Sequence, residues 1–350
     1  MRPGAAQRWA AGRRQPGRWR RSWPTRASPV EPLGAPVRVS GIAPPTIGAA
    51  ISRTLWIWAR LLGGAAILGA LVWRQGTGPF LDALRLLSPE ALLTALVVTS
   101  GTTLCCAWRW SLIARRLGFD VPVRTAFAAY YRSQFLNATL PGGVLGDVHR
   151  GVSHGGETGL MGRGLRSVAW DRAIGQAVQA VAALGAVVLL VQAVRTPVVL
   201  VTVVGLGILV IAWFSLPRRG RLVLAGDFRL LSGVWPKAAL ASALAALGHA
   251  LVFVVAARTA GVTAPLPQVA ALALVVLLVS AVPVGVAGWG PREGAAAWVF
   301  GAVGLGAATG LTVAVVYGVM ALVATLPGAV LPVRRGDRAP TQQLEDAAHG

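Results

Sequence analysis

The sequence predicts an all-α polytopic membrane protein, with seven to eight transmembrane helices and two broken or re-entrant segments among them. Of its 350 residues, 55% are hydrophobic, and the mean hydropathy is +0.63. Only 13% are charged, against about 25% in soluble domains. Apolar runs of about 20 residues, the length a helix needs to cross hydrocarbon, recur along the chain. A water-soluble protein could not cover its surface with so few charges; a bilayer removes that demand.

The charge that remains is lopsided, with 33 Lys+Arg against 12 Asp+Glu, a formal net of +21. Lys237 is the single lysine. Because the cations sit between apolar runs and not on one basic domain, they point to an anionic membrane face and away from nucleic acid. Cys105 and Cys106 are adjacent within an apolar run and read as small apolar residues, not as a disulfide framework.

Residues 1–54 hold ten Arg up to Arg53, the single acid Glu31, and many Pro and Gly. They read as a disordered basic tail with no signal-peptide apolar stretch. Residues 55–333 form the membrane domain, and residues 334–350 a short cytoplasmic tail. The first span is expected at residues 55–73, with Arg60 snorkelling near its cytoplasmic end, and the second at 91–113. Residues 123–145 contain Asn137, Pro141, Gly142 and Gly143, too broken for a straight spanning helix. A re-entrant or interfacial segment fits, since irregular backbone survives at membrane depth only where protein or a wet cavity satisfies it.

Spans three and four are expected at residues 173–194 and 198–216, a hairpin joined at Arg195-Thr196-Pro197. Span five falls at 238–257 and span six at 269–286. Residues 294–333 cover about two short helices, hinged near residues 304–310. Arg-rich segments before span one, after spans two and four, and at Arg334-Arg335 put both termini in the cytoplasm for eight spans. Seven spans result if residues 283–293 turn back without crossing.

Three clusters hold polar groups where apolar ones are expected. Trp108-Arg109-Trp110 closes span two and reads either as an interfacial belt or as a functional charge. Gln134 to Arg150 reads Q-F-L-N-A-T-L-P-G-G-V-L-G-D-V-H-R. There Pro141 breaks a helix, Gly142, Gly143 and Gly146 allow close approach, and Asp147 and Arg150 stand at i,i+3. Such a break can bind a phosphate through exposed N–H groups plus Arg150, or be a surface loop with a solvated ion pair. Residues 282–294 repeat the grammar with Pro283, Gly288 and Gly290 before Arg292 and Glu293. Broken segments in corresponding halves are a sequence pointer to a transporter's central site. Asp171-Arg172, at the head of span three, either joins the second cluster or supplies a capping Asp.

Other signals carry less. His149, His154 and Glu157 match no metal-ligand spacing, and the Gly-rich run lacks the G-x-x-x-x-G-K-[ST] of a nucleotide loop. His249 reads as a helix–helix hydrogen bonder. The sequence calls for no metal and no other cofactor.

Arg109-Trp110, the Phe135-to-Arg150 run, Ser167-Val168 with Asp171-Arg172, and Pro283 to Glu293 together resemble the lysylphosphatidylglycerol synthase transmembrane, or flippase-like, family. The likeness covers roughly residues 55–332. Two motifs depart from the family's usual form: Leu145-Gly146-Asp147 stands for G-G-D, and Ala287 to Glu293 for G-G-L-G-x-R-E. The resemblance implies a multi-helix inner-membrane domain that, in bifunctional relatives, moves a modified phospholipid between leaflets. Its polar positions map here to Arg109, Asn137, Pro141, Gly142, Gly146, Asp147, Arg150, Asp171, Arg172, Arg292 and Glu293. With the chain ending at Gly350, the soluble aminoacyl-transferase domain and lysyl-lipid synthesis are not expected of it.

The leading expectation is therefore translocation or binding of a phospholipid or glycolipid in the cytoplasmic membrane, with the N-terminus inside. Arg150, Arg292 and Arg109 would attract the lipid phosphate, balanced by Asp147 and Glu293 when the site is empty. Membrane lipids are the expected partners, together with a separate lipid-modifying enzyme. The alternative is a membrane-embedded lipid-linked glycosyl- or group-transferase using Asp147 and Glu293 as acid and base. A third is an accessory protein that stabilises a partner complex.

Overall fold

The apolar periodicities become helices in an order set by their end signals. The structure is a computed structural model; it describes Gly69 and residues 72–73, 76–140, 143–157, 159–280 and 289–331. The basic tail, nearly all of the first expected span, Pro141, Gly142, Pro283, Gly288 and the tail after residue 331 lie outside the described residues. Within them the helices are α1 (Gly78–Arg85), α2 (Pro89–Arg116), α3 (Val123–Thr139), α4 (Leu145–Glu157), α5 (Met161–Val187), α6 (Gln192–Ser215), α7 (Arg218–Leu231), α8 (Trp235–Thr259), α9 (Leu266–Ser280), α10 (Pro291–Ala302), α11 (Ala307–Thr325) and α12 (Pro327–Val330). A 3-10 turn, Ser232–Val234, links α7 to α8.

Local chemistry fixes the ends of α2. The Ser88 hydroxyl accepts from the Ala91 N–H at 3.2 Å, Pro89 opens the first turn with Glu90, and Arg115 and Arg116 close the last. Each charge complements its end of the helix dipole. α3 stops because Leu140 precedes Pro141 and takes an extended conformation, ψ 148°.

Three described stretches are long and apolar enough to cross a membrane: Pro89–Arg116, Arg218–Thr259 and Ala307–Val330. Leu266–Ser280 is apolar but shorter. The outward faces suit lipid. Leu93, Val97 and Leu104 on α2, and Leu240, Leu244, Leu247 and Leu251 on α8, are exposed at helical spacing. The buried faces of the same helices carry Ala91, Ala95, Ala238, Ala241 and Ala245. Large residues outside and small ones inside is the packing of a membrane bundle, where close backbone contact replaces a hydrophobic drive.

α2 is the central element, packing along α8, α3, α11 and α5. α5 packs against α4 and α9, and α10 against α11. The C-terminal end of α2 meets the turn before α8, where Gly233 lies beside the Arg116 guanidinium. The far end gathers Asp82 and Arg85 of α1, Ala260 after α8, and Thr309 and Thr312 of α11 around an open hollow. α2 and α8 are therefore antiparallel.

Two sequence expectations shift. The hairpin turn is not Arg195-Thr196-Pro197 but residues 188–191, and Pro197 lies inside α6. Arg195 explains the shift: its Nε donates to the Leu190 carbonyl at 2.5 Å and its Nη2 to Val188 at 2.6 Å. It thereby satisfies carbonyls of the turn that follows α5. Asp171 is not a cap either, because α5 begins ten residues earlier at Met161. The hinge in the last apolar stretch falls where expected, with Gly304 (φ +80°) and Gly306 (φ +92°) between α10 and α11.

α10 and α11 touch through Gly310, whose missing side chain leaves room for the Ala296 carbonyl and for Phe300. Gly310→Val is expected to destabilise the protein by about 1–3 kcal/mol through overpacking. Gly185, with open space around it, is the control: Gly185→Val should change the melting temperature in detergent little.

Candidate functional site

A buried polar layer joins five helices. Arg109 of α2 is 4% exposed and donates from Nε to Asp171 Oδ1 at 2.7 Å and from Nη1 to the Ser242 hydroxyl of α8 at 2.8 Å. Its Nη2 reaches the Tyr130 hydroxyl of α3 at 3.4 Å. Asp171 of α5 is fully buried; its second oxygen accepts from the Tyr130 hydroxyl and from Arg150 Nη2, each at 3.1 Å. Arg109 and Trp110 are thus interior residues and not an interfacial belt.

Asp147, on the first turn of α4, is equally saturated. Oδ1 accepts from the Ser133 hydroxyl at 2.9 Å and from Arg150 Nη2 at 3.2 Å. Oδ2 accepts from Asn137 Nδ2 at 2.9 Å and from Arg172, which grips it through both Nε and Nη2. Asn137 also binds across the break, its Oδ1 accepting the Gly146 N–H at 2.8 Å. Gly146 lies within α4 and not in the break; its role is close approach, since the Ser133 backbone occupies the place a Cβ would take. α3 and α4 are thereby tied together on either side of Pro141 and Gly142.

Arg150 stands at the centre, 1% exposed. Its guanidinium lies between the Trp110 ring, 4.4 Å from the centroid, and the Tyr130 ring, at 4.0 Å. Trp110 is itself fixed by its indole N–H donating to Ser167 Oγ at 3.0 Å. Arg150 Nη2 serves both carboxylates, but Nε and Nη1 are buried without a hydrogen-bond partner among the described residues. The ion pairs bring three guanidiniums, of Arg109, Arg150 and Arg172, to two carboxylates. Counted over the described residues, the layer is one negative charge short of neutral. Arg172 is its most open cation, with a side chain 37% exposed.

Arg292 and Glu293 form a second, separate cluster. Gly290 takes φ +113° at the N-cap of α10, and its N–H donates to Glu293 Oε2 at 2.7 Å. Arg292 Nε donates to Glu293 Oε1 at 2.9 Å. The Arg292 guanidinium lies near Trp289 at 5.0 Å and Tyr317 at 5.4 Å, over Gly318 of α11, which has no side chain to obstruct it. Each cluster thus presents an arginine to one Trp and one Tyr. Among the described residues no hydrogen bond or ion pair joins them. Tyr317 touches Phe253, eleven residues along α8 from Ser242, so the clusters lie about 16 Å apart along the bundle.

Of the residues that the sequence marks as site candidates, Arg109, Asn137, Asp147, Arg150, Asp171 and Arg172 therefore meet in one layer, while Arg292 and Glu293 do not join it. Sequence reasoning misses Tyr130, Ser133 and Ser242. A signal exists for two of them: Tyr130, Ser133 and Asn137 fall on one helical face at i, i+3 and i+7. Ser242 has none. No group of three or more His, Cys, Asp or Glu able to hold a metal occurs among the described residues. Among the described residues, Asp147 accepts from four side chains and Asp171 from three.

The Lysylphosphatidylglycerol synthase TM region model matches residues 56–328, most of the chain and all of both clusters. The chain belongs to this family. It is accordingly an integral membrane protein of the lysylphosphatidylglycerol synthase TM family, and three of its described helical stretches have the length and composition of spans. No curated protein matches it.

Removing one partner of a buried pair strands the other charge, which costs about 3–5 kcal/mol. Asp171→Asn is expected to destabilise on that scale, because Arg109 and Arg150 both lose an anion. The double variant Arg109→Gln/Asp171→Asn should recover part of the loss, read as a coupling between the two in thermal melts.

Proposed function

We propose that this protein takes the phosphate of a phospholipid or glycolipid headgroup into the Arg150 layer and carries that lipid across the cytoplasmic membrane. One observation carries the reading: among the described residues, a buried layer joins three arginines and two aspartates and leaves two Arg150 nitrogens unpartnered. A singly charged phosphodiester is the ligand that neutralises such a layer and supplies the missing acceptors. Stacking on Trp110 and Tyr130 compensates the guanidinium in part while the layer is empty.

Arg172 is the entry point. It is the most exposed cation of the layer and sits beside the break, where it also contacts the Gly143 carbonyl at 3.4 Å. An incoming phosphate competes with Asp147 for Arg172 and then meets Arg150. Arg292, about 16 Å further along the bundle, is the second station for the headgroup. Seven to eight spans with both termini in the cytoplasm complete the topology, the Arg-rich loops facing inward.

Arg172→Gln removes the excess charge and leaves Asp147 with Ser133, Asn137 and Arg150. In vesicles reconstituted with a fluorescent phospholipid, it is expected to slow translocation by about tenfold, the effect of roughly 1.4 kcal/mol, with little change in melting temperature. Translocation at the unaltered rate in a folded Arg172→Gln protein contradicts the assignment.

A further inference from the structure

α7 (Arg218–Leu231) has no part in the polar layer, yet its surface is unusual on two counts. Arg218, Arg219 and Arg229 are exposed, and Arg221 lies over the Phe214 ring at 6.0 Å. Among them, Leu222 is 62% exposed, Phe228 53% and Leu230 54%. Bulk water suits the arginines and not the large apolar side chains; hydrocarbon suits the reverse. A helix carrying both on its open surface belongs at the boundary between the two.

Its place in the fold agrees. α7 follows α6 and leads through the Ser232–Val234 turn into α8, so it joins the bundle at the end where α8 begins. Other cations collect at that end. Arg115 and Arg116 close α2, Arg116 lies beside Gly233, and Arg163 donates to the Leu117 carbonyl at 3.4 Å. The helix's one acid, Asp227, is 5% exposed and already paired: it accepts from Arg166 Nε at 2.8 Å and Trp170 Nε1 at 3.3 Å, both on α5. Trp170, Phe228 and Trp235 pack their rings beside that tie. The tie fixes which face of α7 turns inward and leaves an outward face with no negative charge.

We infer that α7 is an interfacial helix that docks on anionic phospholipid headgroups, with Arg218, Arg219 and Arg229 on the phosphates and Leu222 and Leu230 seated at the acyl boundary. The occupant follows from charge complementarity: an uncompensated positive face with apolar residues between its cations matches an anionic leaflet and not a zwitterionic one. The docking is independent of the translocation reading and concerns none of its residues.

The test uses the full chain in nanodiscs of phosphatidylcholine alone and of phosphatidylcholine mixed with phosphatidylglycerol, with amide hydrogen exchange followed over residues 218–231. The anionic lipid is expected to slow exchange there several-fold, an effect that weakens as salt is raised. In Arg218→Gln/Arg219→Gln/Arg229→Gln the difference between the two lipids is expected to vanish. Leu222→Ser/Leu230→Ser should speed exchange in both lipids while keeping their difference. Equal exchange of the unaltered chain in the two lipids overturns the inference. So does a lipid difference that survives in the triple Arg variant, or protection that appears only with a co-purified protein bound. Loss of translocation in Arg172→Gln bears on the polar layer alone, so the two readings fail separately.

Discussion

Charge buried among apolar helices must be answered by opposite charge or by hydrogen bonds, and Asp171 is where this fold meets that demand. It accepts from Arg109 of α2, Tyr130 of α3 and Arg150 of α4, while Arg109 reaches on to Ser242 of α8. No described helix of the layer can shift without stranding one of these groups. The cost of such a fault is several kcal/mol per ion, larger than most single packing contacts. The apolar faces allow many packings of Ala-rich helices; the polar layer selects among them. That is a reason for a membrane bundle to carry arginines about 10 Å in from its basic end, the rise from Arg116 back to Arg109.

The break between α3 and α4 follows from the same demand. A proline and two glycines end α3, and the chain re-enters helix only at Leu145. Backbone freed at such a break needs partners, and Asn137 supplies one by binding the Gly146 N–H while also holding Asp147. Gly146 then lets the start of α4 lie against Ser133. These contacts hold the first turn of α4 against α3, with Asp147 and Arg150 buried in the layer. At the start of α10, Gly290 with φ +113° and Glu293 do similar work for Arg292.

What can be read from the sequence is local. Asp147 and Arg150 at i,i+3 do pair, at 3.2 Å, and the hinge at Gly304 and Gly306 sits inside its expected window. The layer itself is legible only through motif resemblance, because its bonds join residues 62 and 133 positions apart, as Arg109 does to Asp171 and Ser242. No periodicity encodes such a pairing. Arg195-Thr196-Pro197 reads as a turn because Pro usually ends a helix, yet an arginine side chain caps the preceding carbonyls instead. For Asp171 the sequence offers both a cap and membership of the second cluster, the cap because the polar first half of α5, with Arg163 and Arg166, lacks the apolar signature of a span; its bond to Arg150 gives the second. Tertiary partners outside the segment decide both.

The proposed phosphate site depends on Arg150 Nε and Nη1, which stay without a partner among the described residues although Nη2 pairs with Asp147 and Asp171. The most direct measurement is an experimental structure of the full chain in nanodiscs containing phosphatidylglycerol, refined well enough to place a headgroup. A phosphate oxygen is expected at about 3 Å from Arg150 Nη1 or Nε, with Arg172 turned from Asp147 toward the same phosphate. Lipid phosphates confined to the outer surface, with Arg150 still unpartnered and Arg172 still on Asp147, would contradict it.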